Sequence, residues 1–304
     1  MMRRARGFTL IEMITVITLT AIIAVLVGQN ISRPIEGFVD LGMRAALVDA
    51  ADLALQRMSR EVRLALPNSV RLAGTVSDGE NCAASGGGVC AVEILRTMDG
   101  GQYRNDFDGT NNDECAGPDD DRLDLSAASD CFEVLGPLTN IPAAAGGATQ
   151  TECLQGDVDC LVIFNTGQAG ANAYAGDNIA GVQAASASAI TFDISGGTAT
   201  SFPLPSPRQR FHLVDMPVSF VCDTGAGTLT RYADYTISAA QSTSPGGDTA
   251  LLADKVQSCA FRYVQGVGSR NAVLTMTLVL RDTDTQGNNN DIRLVEQISV
   301  PNVP

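Results

Sequence analysis

The chain has 304 residues and a formal charge of −14 at pH 7. A surface of this sign repels phosphate backbones, which argues against nucleic acid as a general partner. Hydrophobic residues make up 45% of the chain but aromatics only 5%, with no tryptophan, so we expect one or two domains with a sizeable core, rich in loops and strands.

The first element is an apolar run over residues 8–27 that contains one charged side chain, Glu12. As a helix, this run is long enough to cross the roughly 30 Å hydrocarbon core of a membrane. Arginines flank it only on the N-terminal side, which predicts a cytoplasmic N-terminus and an exported remainder. The small residue Gly7 precedes the run, whereas an ordinary secretory signal is cleaved after its apolar segment.

A helical pattern continues to about residue 67. The interruptions at Gly28, Pro34, Gly37 and Gly42 predict a bend, thinning or melting of the helix there. Beyond them, apolar positions recur at spacings of three and four, which predicts an amphipathic helix with one stripe on a domain. The stripe comprises Leu41, Ala45, Val48, Ala51, Leu55, Met58, Val62 and Leu66, and Pro67-Asn68 is predicted to end the helix.

The rest of the chain favours strands. The middle, residues 74–207, is rich in small and polar residues, with short strand candidates at 91–97, 160–166 and 189–195. The last hundred residues contain more regular strand patterns at 216–223, 228–237, 258–265, 272–282 and 291–300, the last two flanking a hairpin turn. The predicted class is therefore α+β: a long N-terminal helix packed on a C-terminal antiparallel sheet, with a long, loop-rich, disulfide-bearing insertion.

Eight cysteines and a single histidine, His212, argue for disulfides rather than zinc ligation. Disulfides imply an oxidising compartment such as a periplasm or the cell exterior. Eight cysteines allow 105 pairings, and spacing in the sequence suggests one of them. The suggested pairs are Cys82 with Cys90, Cys115 with Cys131, Cys153 with Cys160, and Cys222 with Cys259.

An acidic loop between residues 104 and 124 is a candidate calcium site. Asp106, Asp108, Asn111 and Asp113 place oxygen donors at short spacings around a glycine. The loop departs from the EF-hand pattern, because its glycine comes early and no glutamate stands at the twelfth position. A solvated acidic loop pinned by Cys115 and Cys131 is the alternative, and the same hypothesis applies more weakly to Asp282, Asp284 and Asp291.

Nothing in the sequence predicts an enzyme. His212 lies three residues before Asp215, but no serine or cysteine nucleophile motif accompanies it. The acidic loop offers no rigid element to hold two carboxylates in different environments, as acid/base catalysis requires. We therefore expect a packed or surface histidine and no catalytic residue.

The stretch Gly7-Phe8-Thr9-Leu10-Ile11-Glu12 resembles the G-F-T-L-x-E processing motif of type IV prepilins and type II secretion pseudopilins. The resemblance implies that a prepilin peptidase cuts after Gly7 and methylates the new N-terminal amine of Phe8. It also implies that Glu12, a costly charge in an apolar segment, pairs with such an amine on a neighbouring subunit and sets filament register.

Further stretches at 47–72 and 205–304 look similar to the large minor pilins of the mannose-sensitive haemagglutinin (MSHA) type IV pilus. More distantly, they resemble the J-type minor pseudopilin of type II secretion. This resemblance implies partners among other pilins or pseudopilins and an inner-membrane assembly platform, and a location in the bacterial inner membrane before pilus assembly. The expected organisation is a cleaved leader at 1–7, a membrane and assembly helix at 8–27, its continuation at 28–67 and an exported head at 68–304.

Overall fold

The computed structural model describes residues 7–106, 115, 122–197, 199–266, 271–284 and 286–302, with backbone alone at 29–36. The chain divides into two compact units. One comprises the chain up to Asp49 together with Arg281–Ile292, and the other comprises Ala50–Leu280 together with Arg293–Pro304.

Helix α1, Leu10–Val62, is continuous. The predicted melting between Gly28 and Gly42 does not occur, because helical turns already formed on both sides require no new nucleation to continue through a glycine or proline. The helix ends at Val62 rather than at Pro67, because strand β4, Val89–Tyr103, captures the chain that follows. Leu66 donates its N–H to the Leu95 carbonyl at 2.7 Å, and Thr97 donates to the Leu64 carbonyl at 2.7 Å.

The predicted burial of the amphipathic stripe is confirmed at the C-terminal end of the stripe and wrong at its start. Ala51, Leu55, Met58 and Val62 are at most 2% exposed. In contrast, Leu41 is 68% exposed, Val48 is 40% exposed, and Ala45 is also exposed. Helical periodicity identifies a face of the helix but does not show where along that face other elements cover it.

Strands β1 to β11 follow α1, and two short helical segments lie among them, one on either side of β6. Strands β1, Arg71–Gly74, β2, Val76–Ser77, and β3, Asn81–Ser85, precede β4. Next come β5, Ser129–Leu135; α2, Gln150–Gln155; β6, Cys160–Ile163; a 3₁₀ turn, Ala173–Ala175; β7, Ile179–Ala185; and β8, Ala189–Asp193. Strands β9, Arg210–Asp223, β10, Thr228–Ala233, and β11, Asp248–Ala253, follow. The middle region thus contains more strand than its composition indicated.

Nine of these strands form one antiparallel sheet in the order β1-β4-β5-β8-β7-β6-β9-β10-β11. Because β4 also pairs with β9, the six strands from β4 through β5, β8, β7 and β6 to β9 close into a ring. Aromatic side chains fill it, including Phe132 and Phe211, whose ring centroids are 5.4 Å apart. A small closed sheet of this kind encloses a packed core.

A second sheet has the order β14-β13-β12-β3-β2. Its remaining strands are β12, Val256–Val264, β13, Ala272–Thr283, and β14, Asn289–Val300. The Cys222–Cys259 disulfide joins β9 of the first sheet to β12 of the second. The other disulfides are Cys82–Cys90, Cys115–Cys131 and Cys153–Cys160, so all four pairs match those that sequence spacing suggested.

Candidate functional site

The segment around Gly7 is open. A Cβ atom added at Gly7 would meet no atom within 4 Å, and Phe8 is 78% exposed. Regular helix begins at Leu10, where the Thr9 carbonyl accepts the N–H groups of Glu12 and Met13 at 3.1 and 3.2 Å. The peptide bond after Gly7 therefore lies just outside the helix, on exposed backbone that another protein can reach.

Glu12 lies in the first turn of α1 and is exposed. Within the described residues, its carboxylate has neither a hydrogen-bond partner nor an ion-pair partner. A free amine at Phe8 would lie four residues away, which is about one helical turn. The site therefore contains an acid available to a cation on the same subunit or on a neighbouring one.

The helix that carries Glu12 is apolar and uncovered. Residues Leu10–Gly28 have a mean hydropathy of 2.6, and none of this window is buried within the chain. The span is long and apolar enough to cross a membrane. Apolar surface of this extent requires lipid or other subunits to cover it.

Threonine hydroxyls adapt this helix to an apolar environment, a feature that sequence reasoning missed. Thr18 donates to the Ile14 carbonyl at 2.9 Å, and Thr20 donates to the Val16 carbonyl at 2.7 Å. Thr15 donates to the Glu12 carbonyl at 3.0 Å. Each of these hydroxyls thus has a partner within its own helix, which avoids the cost of an unpaired polar group in hydrocarbon. The signal in the sequence was threonine at positions otherwise filled by aliphatic residues.

Comparison with known families matches residues 2–28 to the prokaryotic N-terminal methylation motif. The chain carries a prepilin methylation segment. The match supports a type IV pilin-like subunit that a prepilin peptidase processes, and with the apolar helix it fits a membrane-anchored pilin. Comparisons with curated proteins and with solved structures gave no match.

The calcium hypothesis for this pilin-like chain stays a prediction. Asp106 is described, whereas Asp108, Asn111 and Asp113 lie outside the described residues. Among the described residues, no three His, Cys, Asp or Glu side chains converge on one point. Asp291 is paired with Arg281 at 2.6 Å, and Asp284 accepts the Asn288 N–H at 2.7 Å within its own turn.

His212 and Asp215 are not brought together. Both lie on β9, but the register with β4 shifts between them, and Asp215 is passed over in that pairing while His212 is matched with Gly100. Asp215 forms an ion pair with Arg96 of β4, while the Nε2 atom of His212 is buried without a hydrogen-bond partner. These two residues therefore do not form an acid/base pair.

Lowering the pH from about 7 to about 4.5 is expected to destabilise the protein more than its His212→Gln variant. The pKa of His212 is lowered from its usual 6.5 to about 4, mainly because burial disfavours the charged imidazole and secondarily because Arg210 repels it. Between these values the unfolded chain binds a proton that the folded chain does not, so the stabilisation is complete above pH 6.5 and declines toward pH 4. The expected difference is about 2 to 3 kcal/mol.

Urea denaturation of both proteins at the two pH values would measure this difference. Because the chain has a single histidine, the comparison isolates His212 from the carboxylates, which titrate in both proteins. Equal losses of unfolding free energy in the two proteins would contradict the prediction.

Proposed function

We propose that this chain is a minor pilin-like structural subunit that takes part in assembly of an MSHA-like type IV pilus, in initiation or at the tip. The observation that carries the proposal is the methylation motif at residues 2–28 placed on an uncovered apolar helix. An exposed acid at the start of that helix, Glu12, supplies an assembly contact. No catalytic role is proposed for any residue.

The physical mechanism follows from charge in an apolar environment. Cleavage after Gly7 removes the arginines of the leader and creates a cation at Phe8. When helices of neighbouring subunits pack side by side, a register that leaves Glu12 unpaired buries an uncompensated charge. A register that places it against a neighbour's Phe8 amine forms a poorly screened ion pair. The energetic difference between these registers would align each incoming subunit.

The head supports a minor rather than a major role. It carries two sheets linked by two disulfides, and a domain of this bulk would pack poorly if repeated along a dense helical filament. We infer that it is exported to the periplasm and then displayed at the filament end, present in few copies. The resemblance of residues 47–72 and 205–304 to the large minor pilins of the MSHA system favours that group within the superfamily.

A minor pseudopilin of a type II secretion system is the second candidate. It shares the order of N-terminal helix, variable middle and C-terminal sheet. Localisation distinguishes the two proposals: antibody labelling of the head on surface fibres would support the pilus, and a defect in exoprotein secretion without fibre labelling would support the pseudopilus.

Substituting Gly7 by valine is expected to abolish cleavage almost completely when the chain is produced together with a prepilin peptidase. Because a side chain at Gly7 would meet no other atom, the change affects recognition by the peptidase and not the fold. Mass spectrometry of the wild-type protein should find an N-terminus at Phe8 with one added methyl group. A Thr20→Ser variant, which keeps its hydroxyl, is the control and should be processed normally. An intact leader on the wild-type protein, or normal cleavage of the Gly7→Val variant, would refute the processing step.

A further inference from the structure

A cavity of about 540 Å³ lies where β4 and β9 pair near one end of the ring. Its walls are Gly100, Gly101 and Gln102 of β4, Leu135 of β5, and Arg210, Phe211 and His212 of β9. All seven residues belong to one compact unit. The cavity is separate from the methylation segment.

The charge of this cavity is unusual for an acidic protein. Arg210 is the one charged residue among its walls, and within the described part of the chain it forms no ion pair. Three other cavities, of about 440 to 540 Å³, each have at least one carboxylate in their walls: Glu93 in one, Asp78 beside Arg262 in the second, and Asp78 and Glu80 beside Arg71 in the third. The carboxylate of Asp99, the residue before Gly100, accepts hydrogen bonds from the backbone N–H groups of Gly100, Thr139 and Asn140. Among the described residues, Arg210 is thus a cation of this cavity with no ion-pair partner.

The other walls of the cavity place a hydrogen-bond acceptor and a neutral imidazole beside an apolar side chain. Gln102 donates its Nε2 to the Arg208 carbonyl at 3.1 Å, which leaves its Oε1 as an acceptor. The imidazole of His212 lies against Gly100, where an added Cβ would be 3.3 Å from Nδ1. Burial and Arg210 lower the pKa of His212, so the ring is neutral at pH 7. Leu135, 42% exposed, supplies apolar surface beside these polar groups, whereas the Phe211 side chain is fully buried in the core of the ring.

We propose that this cavity binds an acidic side chain of a partner protein, with the Arg210 guanidinium holding the carboxylate. Guanidinium and carboxylate match in shape and charge, and they form paired hydrogen bonds. The acceptor on Gln102 suits the backbone N–H of a peptide, and the exposed Leu135 side chain suits the methylene groups of Asp or Glu. A volume of about 540 Å³ exceeds that of a single small anion, which favours an anion attached to a larger body. The proposal does not depend on filament assembly.

The single histidine makes the test direct, since His212 is the only imidazole in the chain. The full-length protein in detergent micelles, produced without a histidine tag and with isotope-labelled histidine, would be titrated with the blocked dipeptide acetyl-Asp-Glu-amide. We expect a saturable change in the His212 NMR signal and a rise in its pKa, because a bound carboxylate stabilises the imidazolium. The uncharged isostere acetyl-Asn-Gln-amide should produce neither effect.

Two arginine variants with the same change in net charge provide the matched comparison. Arg210→Gln should weaken binding of the acidic dipeptide by about tenfold or more, because a charge-assisted pair is lost. Arg208→Gln should change it less than about twofold, because Arg208 is exposed and lies outside the cavity walls. Equal losses in the two variants would show non-specific charge attraction and overturn the proposal.

Three other outcomes would also overturn it. These are a His212 signal that does not saturate, an equal response to the uncharged dipeptide, and binding of inorganic phosphate without binding of the acidic dipeptide. The last result would show an adventitious ion site only. None of these outcomes bears on cleavage after Gly7, so failure here and failure of the proposed function are distinguishable.

Discussion

Changing Glu12 to alanine is expected to leave membrane insertion and cleavage after Gly7 intact but to reduce incorporation into filaments by about tenfold or more. A charge-assisted pair in an apolar environment contributes on the order of 1.5 to 3 kcal/mol, which corresponds to a factor of ten or more. The measurement is the ratio of subunit in sheared filaments to subunit retained in the membrane, by quantitative immunoblot. Mass spectrometry of the retained subunit would confirm that its N-terminus is still Phe8.

The matched control is Thr20→Val on the same helix. It removes a hydroxyl that bonds only to backbone of its own helix, so incorporation should stay near the wild-type level. Glu12→Gln separates charge from volume, and it should behave like Glu12→Ala if the ion pair sets register. Normal incorporation of the Glu12→Ala variant would contradict the hypothesis that Glu12 sets the register between subunits.

Replacing both Cys222 and Cys259 by alanine is expected to lower the free energy of unfolding by about 4 kcal/mol. The two residues are separated by 37 positions, and closing a loop of that length removes substantial entropy from the unfolded chain, about 4 kcal/mol at 25 °C. The bond also joins β9 to β12, so its loss leaves Cys82–Cys90, between β3 and β4, as the remaining disulfide between the two sheets. Chemical denaturation followed by circular dichroism would measure the change.

The corresponding control is the double alanine variant of Cys153 and Cys160. This disulfide links α2 to β6 across a separation of seven residues, for which the same treatment gives about 2 kcal/mol. Both pairs are buried, so the two variants lose similar packing. A loss for the Cys222 and Cys259 variant that is no larger than the control loss would contradict the loop-closure argument.

Local sequence predicted much of this molecule because several decisive signals lie in consecutive residues. The processing motif, the apolar span and the single acid Glu12 all fall within residues 7–28, and the family comparison matches the same segment. The last two strands of the chain could also be predicted, since side chains of β13 and β14 alternate between more and less buried positions at the two-residue period of a strand. Three of the cysteine pairs followed from separations of 7 to 16 positions, which bring two residues together at a smaller entropic cost than the 37 positions of Cys222–Cys259.

Other features depended on contacts between distant residues. The pairing of β4 with β9 closes the ring and matches Gly100 with His212 across more than a hundred positions. No local pattern specifies that register, because it is set by backbone hydrogen bonds and by the packing of aromatic rings inside the ring. For the same reason, composition made the middle region look like loop, although its strands find partners in β9 and in one another.

The sequence alone thus determined that the chain carries a prepilin methylation motif and an apolar helix long enough to cross a membrane, because both signals lie in one short, consecutive segment. The tertiary structure decided which face of α1 is covered, with Ala51 buried and Leu41 exposed. It also decided that Arg210, His212 and Gln102 line one cavity, while Asp215 forms an ion pair with Arg96. The physical reason is that burial and charge compensation depend on which strands lie side by side, and that arrangement is a property of the whole fold.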